Sequence, residues 1–300
     1  MLNWKDSART VRCINSLSKS ASVEHIFVVD NESVGELSSA LSAGVDPTGA
    51  VSWSLVELAE NRGFAGGVNV ALQQALDQGY EAILSINNDA LIDPESAARL
   101  IDALKANDSL GIAAPRILNE DGTEESAGGF LIPWLGISTH AARRSTVPDF
   151  ITWACVLVRV DALRQVGLLD ETFFMYWEDV DMSLRLHAEG WGLQVCPEAA
   201  AVHELSTNRK SYPVAIKAYH TWSGIVFARK HGGAWRGGSC TWVGVSVLAN
   251  ILRMRFGALR GIRSGIRLSR EGAAPAWKSP LRAQEFGMPR VRALQVNEGL

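Results

Sequence analysis

The chain has 300 residues, 47% of them hydrophobic and 20% charged, with a net charge of −3 at neutral pH. That composition sustains a full core in one large domain, or a domain with an appendage, and excludes a disordered chain. The near-neutral total conceals an asymmetry: residues 251–300 hold ten Arg or Lys against three Glu, which leaves 19 basic and 29 acidic residues in the first 250. A tail of about +7 on a body of about −10 points to an anionic surface, membrane or nucleic acid, for the tail.

Four cysteines, Cys13, Cys155, Cys196 and Cys240, lie far apart without a CxxC pair, which argues against a zinc site or a disulfide framework and fits a reducing cytoplasm. No signal-like segment opens the sequence, and the longest strongly apolar run near the end, Thr241 to Leu252, is too short to span a bilayer as a helix. The expected location is cytoplasmic, with peripheral attachment to the inner face of the cell membrane as its extension.

In chain order, Val11, Ile14 and Leu17 recur at three-residue steps behind Asp6 and Ser7, which predicts an amphipathic helix over 6–20. Strands are expected at 25–29, ending in Asp30-Asn31, and at 53–58. A glycine loop then leads to a helix at 67–78 and a strand at 82–86 that ends in Asn87-Asn88-Asp89. A helix over 94–106 and a strand over 111–118 continue the alternation, and residues 122–148, rich in Gly, Ser and Thr, read as a long loop. Regular structure returns at 154–160, with a helix at 178–189, a strand at 192–196 and a helix at 212–230. Alternating strands and helices predict a doubly wound, mostly parallel sheet flanked by helices, whose ligands gather at the carboxyl ends of the strands.

Three stretches could carry chemistry. In Phe173 to Asp181 an aromatic run feeds Glu178, Asp179 and Asp181 into a helix start. A helix cap explains the carboxylates, while apolar rings beside one would raise its proton affinity toward that of a useful base. Asn87 and Asp89 end an apolar strand with oxygen ligands suited to a hard cation holding phosphate, or simply form a turn. Asn61, Gly63, Phe64, Gly66, Gly67 and Asn69 sit in a glycine stretch entering a helix, where backbone N–H groups can approach an anion; the spacing is neither a dinucleotide fingerprint nor a P-loop. His203, after a short apolar stretch, reads alone as a structural histidine.

Taken in order, Leu2-Asn3-Trp4, Val28 to Asn31, the 61–69 stretch, Asn87-Asn88-Asp89, 167–185 with Asp170-Glu171, and Ala201-Val202-His203 resemble the family 2 glycosyltransferases with the GT-A fold, in particular their rhamnosyltransferase-like bacterial branch. The resemblance covers about residues 2–230. It implies that Asp30 and Asn31 meet the nucleotide, that 61–69 helps hold the nucleotide sugar, that Asp89 binds Mg²⁺ or Mn²⁺ with His203 as a further ligand, and that Asp179 is the catalytic base with Glu178 beside it. It also implies inversion at the anomeric carbon, a UDP- or dTDP-sugar donor with rhamnose as the leading sugar, and a cell-envelope glycan or lipid-linked acceptor.

The sequence departs from the family pattern in three places. An apolar strand normally precedes Leu-Asn-Trp, whereas here Met1 does, so the central first strand is expected to be nearly absent. Trp153 stands where glycine is usual before Ala-Cys and is expected to narrow or reshape the pocket near donor and acceptor. His220-Thr221-Trp222-Ser223 replaces an Arg-Asn pair, so no phosphate contact is assigned to that helix.

Residues 1–230 are therefore expected to form the catalytic domain and 231–300 a basic C-terminal helical appendage. From Leu252, the residues Phe256, Leu259, Ile262 and Ile266 follow at three- and four-residue steps among six arginines, a pattern that either lies on an anionic bilayer or packs its apolar side on the catalytic domain. Nucleic acid is not an expected partner, because the acidic body would repel phosphate and no recognition motif is present. The alternative function is a non-catalytic nucleotide-sugar or glycan-binding relic of the same fold.

Overall fold

The computed structural model describes residues 1–33, 35–46, 51–140, 147–204 and 213–270. Tyr212 at the expected helix start, residues 141–146 of the expected loop, and the tail beyond Arg270 lie outside the described residues.

The first three strands, β1 (Leu2–Asn3), β2 (His25–Asn31) and β3 (Ser52–Leu58), run parallel. The larger part of the sheet is built from β4 (Ala82–Ile86), β5 (Ala90–Ile92), β6 (Leu110–Leu118), β7 (Glu124–Ser126), β10 (Cys155–Arg159) and β11 (Gly192–His203), in spatial order β4-β10-β6-β11-β5 with β7 on β6. A parallel bridge from Leu2 to Asn87 joins the two parts. β10 runs antiparallel to both β4 and β6, and β5 antiparallel to β11, so the sheet is mixed outside its parallel pairs. A small hairpin, β8 (Phe130–Ile132) and β9 (Ile137–Thr139), together with β7 replaces the long loop expected from composition.

Helices cover both faces. On one, Cys13, Ile14 and Leu17 of α1 (Ser7–Leu17), Leu37 and Leu41 of α2 (Glu36–Gly44), and Leu100 and Leu104 of α4 (Pro94–Ala106) join one apolar cluster. On the other, Val68 and Leu72 of α3 (Gly63–Asp77), Leu163 of α5 (Val160–Val166), and Met182 and Leu186 of α6 (Glu178–Ala188) form a second. The pleat sorts the strand residues between them: Ile112 and Val156 enter the second cluster, their neighbours Ala113 and Leu157 the first. The chain is thus wound on both faces of the sheet, as its alternation of elements implies.

The first strand is two residues long. Met1 donates its ammonium to Phe27 O at 2.8 Å, and burial lowers that group to about 6. Ala82, Ile83 and Leu84 are only half-buried: β4 ends the order of its part of the sheet, and among the described residues no strand lies along most of that edge.

Three further helices, α7 (Pro213–His231), α8 (Gly233–Leu252) and α9 (Phe256–Arg270), follow. The pattern expected to start one helix at Leu252 is broken by a corner in which Met254 has φ 51°. Beyond it, a Cβ on Gly261 or Gly265 would run into Val214 or Ala218 carbonyls, so α9 lies backbone-close on α7 with Ile262 and Leu268 buried. Of the two readings of the basic helix, packing on the protein therefore describes α9, while Leu252 and Phe256 stay exposed at the corner.

Candidate active site

Asp89 sits in the turn before β5, and His203 ends β11; the antiparallel register sets His203 opposite Ala90, so the two functional side chains meet at the rim of the sheet. His203 Nε2 is 3.2 Å from Asp89 Oδ1, and its Nδ1 is 2.8 Å from Glu125 Oε2 on β7. Burial alone would lower the imidazole, but the hydrogen bonds and charge of Asp89 and Glu125 raise it to about 9. The Asn-Asn-Asp triplet divides its labour: Asn88 Nδ2 turns inward to Asn3 Oδ1, Thr10 Oγ1 and Asp6 O, while Asn87 uses its backbone to bond Ala154 O and accept from Ala90 N.

The 3.2 Å contact is a charge-assisted hydrogen bond, and His203 Nε2 could join Asp89 as a neighbouring ligand of a hard divalent ion only by giving up that proton, with the remaining positions left for phosphate oxygens and water. Among the described residues, no three His, Cys, Asp or Glu side chains are arranged to hold a metal ion.

Glu178 and Asp179 open α6, directly after Tyr176 and Trp177, which hold φ 70° and 72°. Two consecutive left-handed residues with large side chains cost of order 1–3 kcal/mol each, strain of the kind concentrated at functional sites. Burial pushes Asp179 up to about 6, and pushes the buried Glu178 well above the usual carboxylate range, helped by the charge of Asp179. Glu178 Oε2 has no hydrogen-bond partner among the described residues. The adjacent Asp181 is opposite in character. Although burial would raise it, His231 (2.9 Å), Lys230 (2.7 Å) and Arg185 (2.9 Å) hold it low, so it anchors α6 on α7 as an ion-paired carboxylate.

The glycine stretch is not a loop beyond Arg62: α3 begins at Gly63, four residues earlier than its apolar pattern suggests, because the left-handed Gly63 (φ 74°) turns the chain and Phe64 N bonds Phe174 O at 2.6 Å. Phe64, Gly66, Gly67 and Asn69 are therefore helical. Asn31 braces the turn, donating to Asn61 Oδ1 and Gly63 O at 3.0 Å each and accepting from Arg62 N at 2.8 Å. Asn69 exchanges hydrogen bonds with Leu169 O (2.8 Å) and Leu169 N (3.1 Å), and Arg62 pairs with Glu171 at 3.0 Å. Asp30 accepts from Asn3 Nδ2 at 2.6 Å, and burial raises its carboxyl. The amides of Asn31, Asn61 and Asn69 are thus engaged within the protein, and so are the first N–H groups of α3, with Gly63 N donating to Asn61 Oδ1 at 2.8 Å and Phe64 N to Phe174 O.

Trp153 does not narrow a pocket. Its ring is buried in the second apolar cluster with Ala65 and Val68, and Nε1 donates to Ser85 Oγ at 2.8 Å. Sequence reasoning passed over Glu125, hidden in a Glu-Glu pair without periodicity, and noted His220 only as a departure from the family pattern. His220 lines a small cavity with Trp177, Trp235 and Trp242, and burial lowers it to about 4. Its signal was the unusual density of aromatic residues in both flanking helices.

The structure therefore brings Asp89 together with His203 at the sheet rim, and Glu178 together with Asp179 at the start of α6. Residues 5–167, more than half of the chain, match the profile of Glycosyl transferase family 2. The chain belongs to that family. This glycosyltransferase is 25% identical over 213 residues to the low-salt glycan biosynthesis hexosyltransferase Agl10 of Haloferax volcanii, covering 68% of this chain and 67% of that one. It is 27% identical over 215 residues to the N-acetylglucosaminyl-diphospho-decaprenol L-rhamnosyltransferase of Mycobacterium tuberculosis, covering 61% and 69%. The mannosyltransferase PcManGT from Pyrobaculum calidifontis, solved in complex with GDP-Man and Mn²⁺, superposes with a TM-score of 0.57 at 16% identity over 94% of this chain and 81% of that one. The fold is GT-A, and among family members the chain is rhamnosyltransferase-like.

Proposed function

We propose that the protein is an inverting, metal-dependent hexosyltransferase that moves a sugar, with rhamnose the leading donor, from a UDP- or dTDP-sugar to a cell-envelope glycan or lipid-linked acceptor. The observation that carries this reading is Asp179: a carboxyl raised to about 6 at the strained start of α6 is ionised at neutral pH yet basic enough to take a proton from an acceptor hydroxyl. Beside it, burial and the charge of Asp179 push Glu178 well above the usual carboxylate range.

Asp89 and His203 would hold Mg²⁺ or Mn²⁺, and the ion supplies charge that makes the diphosphate a tolerable leaving group. Asp30 would meet the nucleotide, and the stretch at Gly63, Phe64, Gly66 and Gly67 would help hold the nucleotide sugar, although the N–H groups of Gly63 and Phe64 are already given to Asn61 Oδ1 and Phe174 O. Asn31, Asn61 and Asn69 would shape that turn rather than touch the donor, and Asn87 would position Asp89. With one base and no opposing nucleophile proposed, a single displacement with inversion follows.

Residues 1–230 would then be the catalytic unit and 231–300 its appendage. Among the described residues no helix is long and apolar enough to cross a membrane; a lipid-linked acceptor would call for a peripheral position on the cytoplasmic face. The test is transfer from a panel of nucleotide sugars with and without Mn²⁺, comparing wild type with Asp179→Asn. A variant that turns over normally, or a product with retained configuration, would sink the mechanism; a wild type that binds donor and transfers nothing would favour the binding relic.

A further inference from the structure

Six of the eight exposed large hydrophobic side chains among the described residues fall between positions 245 and 256: Val245, Leu248, Ile251, Leu252, Met254 and Phe256. The other two are Trp134 and Val147. Val245, Leu248 and Leu252 share one face of α8 at helical steps, and the left-handed turn at Met254 throws Met254 (73% exposed) and Phe256 (63%) outward beside Leu252 (75%). A contiguous apolar projection of this kind marks an interaction surface.

The charges around it select the partner. Arg253 and Arg255 are interleaved with the apolar tip and exposed, and Arg260, Arg263 and Arg270 are exposed along α9. From residue 213 to residue 270 the sequence has no Asp or Glu. Apolar side chains that insert and arginines that stay at headgroup level are the two components of binding to an anionic bilayer. A second copy fits poorly, since a two-fold contact through this patch would set arginines against arginines without a carboxylate from α7, α8 or α9.

We propose that the α8–α9 corner is a docking tip for anionic lipid bilayers, which carries the site to its acceptor. The same helix connects the two. Trp242 of α8 lies 5.2 Å from the His220 ring, which lies 6.3 Å from Trp177, the residue before Glu178. The ten residues from Trp242 to Leu252 span about 15 Å at 1.5 Å per residue. The tip therefore lies within about three helical turns of the wall beside the acid pair. This purpose rests on the lipid-linked acceptor proposed above, whereas the docking itself does not.

The test is sedimentation of the full chain with phosphatidylcholine vesicles and with vesicles of phosphatidylcholine and phosphatidylglycerol at four to one, alongside transfer to a water-soluble acceptor analogue. The expected result is binding to the anionic vesicles only. Leu252→Asp with Phe256→Asp should reduce it at least tenfold, and Arg253→Gln with Arg255→Gln by about fivefold per arginine, with unchanged thermal melting and unchanged transfer to the soluble acceptor. The proposal is overturned if wild type ignores anionic vesicles, if the acidic pair sediments like wild type, or if that pair instead abolishes a concentration-dependent dimer. Vesicle binding without transfer to any acceptor would overturn the enzymatic reading and leave the tip standing.

Discussion

His203 Nδ1 lies 2.8 Å from Glu125 Oε2, and this contact leaves the ring only its Nε2 edge to offer Asp89. A carboxylate that fixes the second nitrogen of a ligand histidine sets the ring's orientation and tautomer. Glu125→Ala should therefore lower Mn²⁺ affinity by roughly 10–100-fold, with Glu125→Gln milder because its amide oxygen still accepts from Nδ1–H. Titration of Mn²⁺ binding decides it, and equal affinity in all three proteins would remove Glu125 from this role.

Asp179 must be ionised to accept a proton. With its carboxyl at about 6, kcat should be level above that pH and fall about tenfold per unit as the pH drops through and below it. Asp179→Asn should lose roughly 10²–10⁴-fold in kcat with donor affinity kept. A pH profile with its acid limb near the ordinary aspartate value would contradict the burial that the structure shows.

Trp153 is a core residue, and the consequence is measurable. Trp153→Gly removes a buried ring and leaves the Ser85 hydroxyl without its donor, which should cost about 3–5 kcal/mol in urea unfolding. The donor KM of the folded fraction should not move. A lowered KM with intact stability would mean that the ring guards the pocket after all.

Gly63→Ala should be destabilising out of proportion to one methyl. The residue is left-handed, worth about 1–2 kcal/mol against a Cβ, and the added carbon would also collide with the Phe174 carbonyl that Phe64 N uses. A lower melting temperature together with weakened donor binding is expected; an unchanged melt would show that this turn is not held as described.

The contrast between elements explains what could be read in advance. α4 spans Pro94–Ala106 as expected, since Asp93 caps it by accepting from Ser96 N at 2.8 Å and proline opens it. α2 was invisible because Glu36–Gly44 is mostly Ser, Ala and Gly, and only Leu37 and Leu41 reach the core. α8 begins among glycines and exposes most of its apolar residues, so no two-sided pattern announces it. At the site, the acid pair and the Asp89–His203 pairing followed from motif order, whereas Glu125 meets His203 across 78 residues of chain, a distance no local pattern encodes.

Asn69 grips Leu169 from both amide atoms, and Arg62 clasps Glu171. Residues 61–69 and 169–171 are consequently one part cut from two places in the chain. Anyone grafting a relative's 61–69 stretch into this enzyme would have to transplant the later triplet as well, or the graft would arrive with its clasp missing and the lead into α6 adrift.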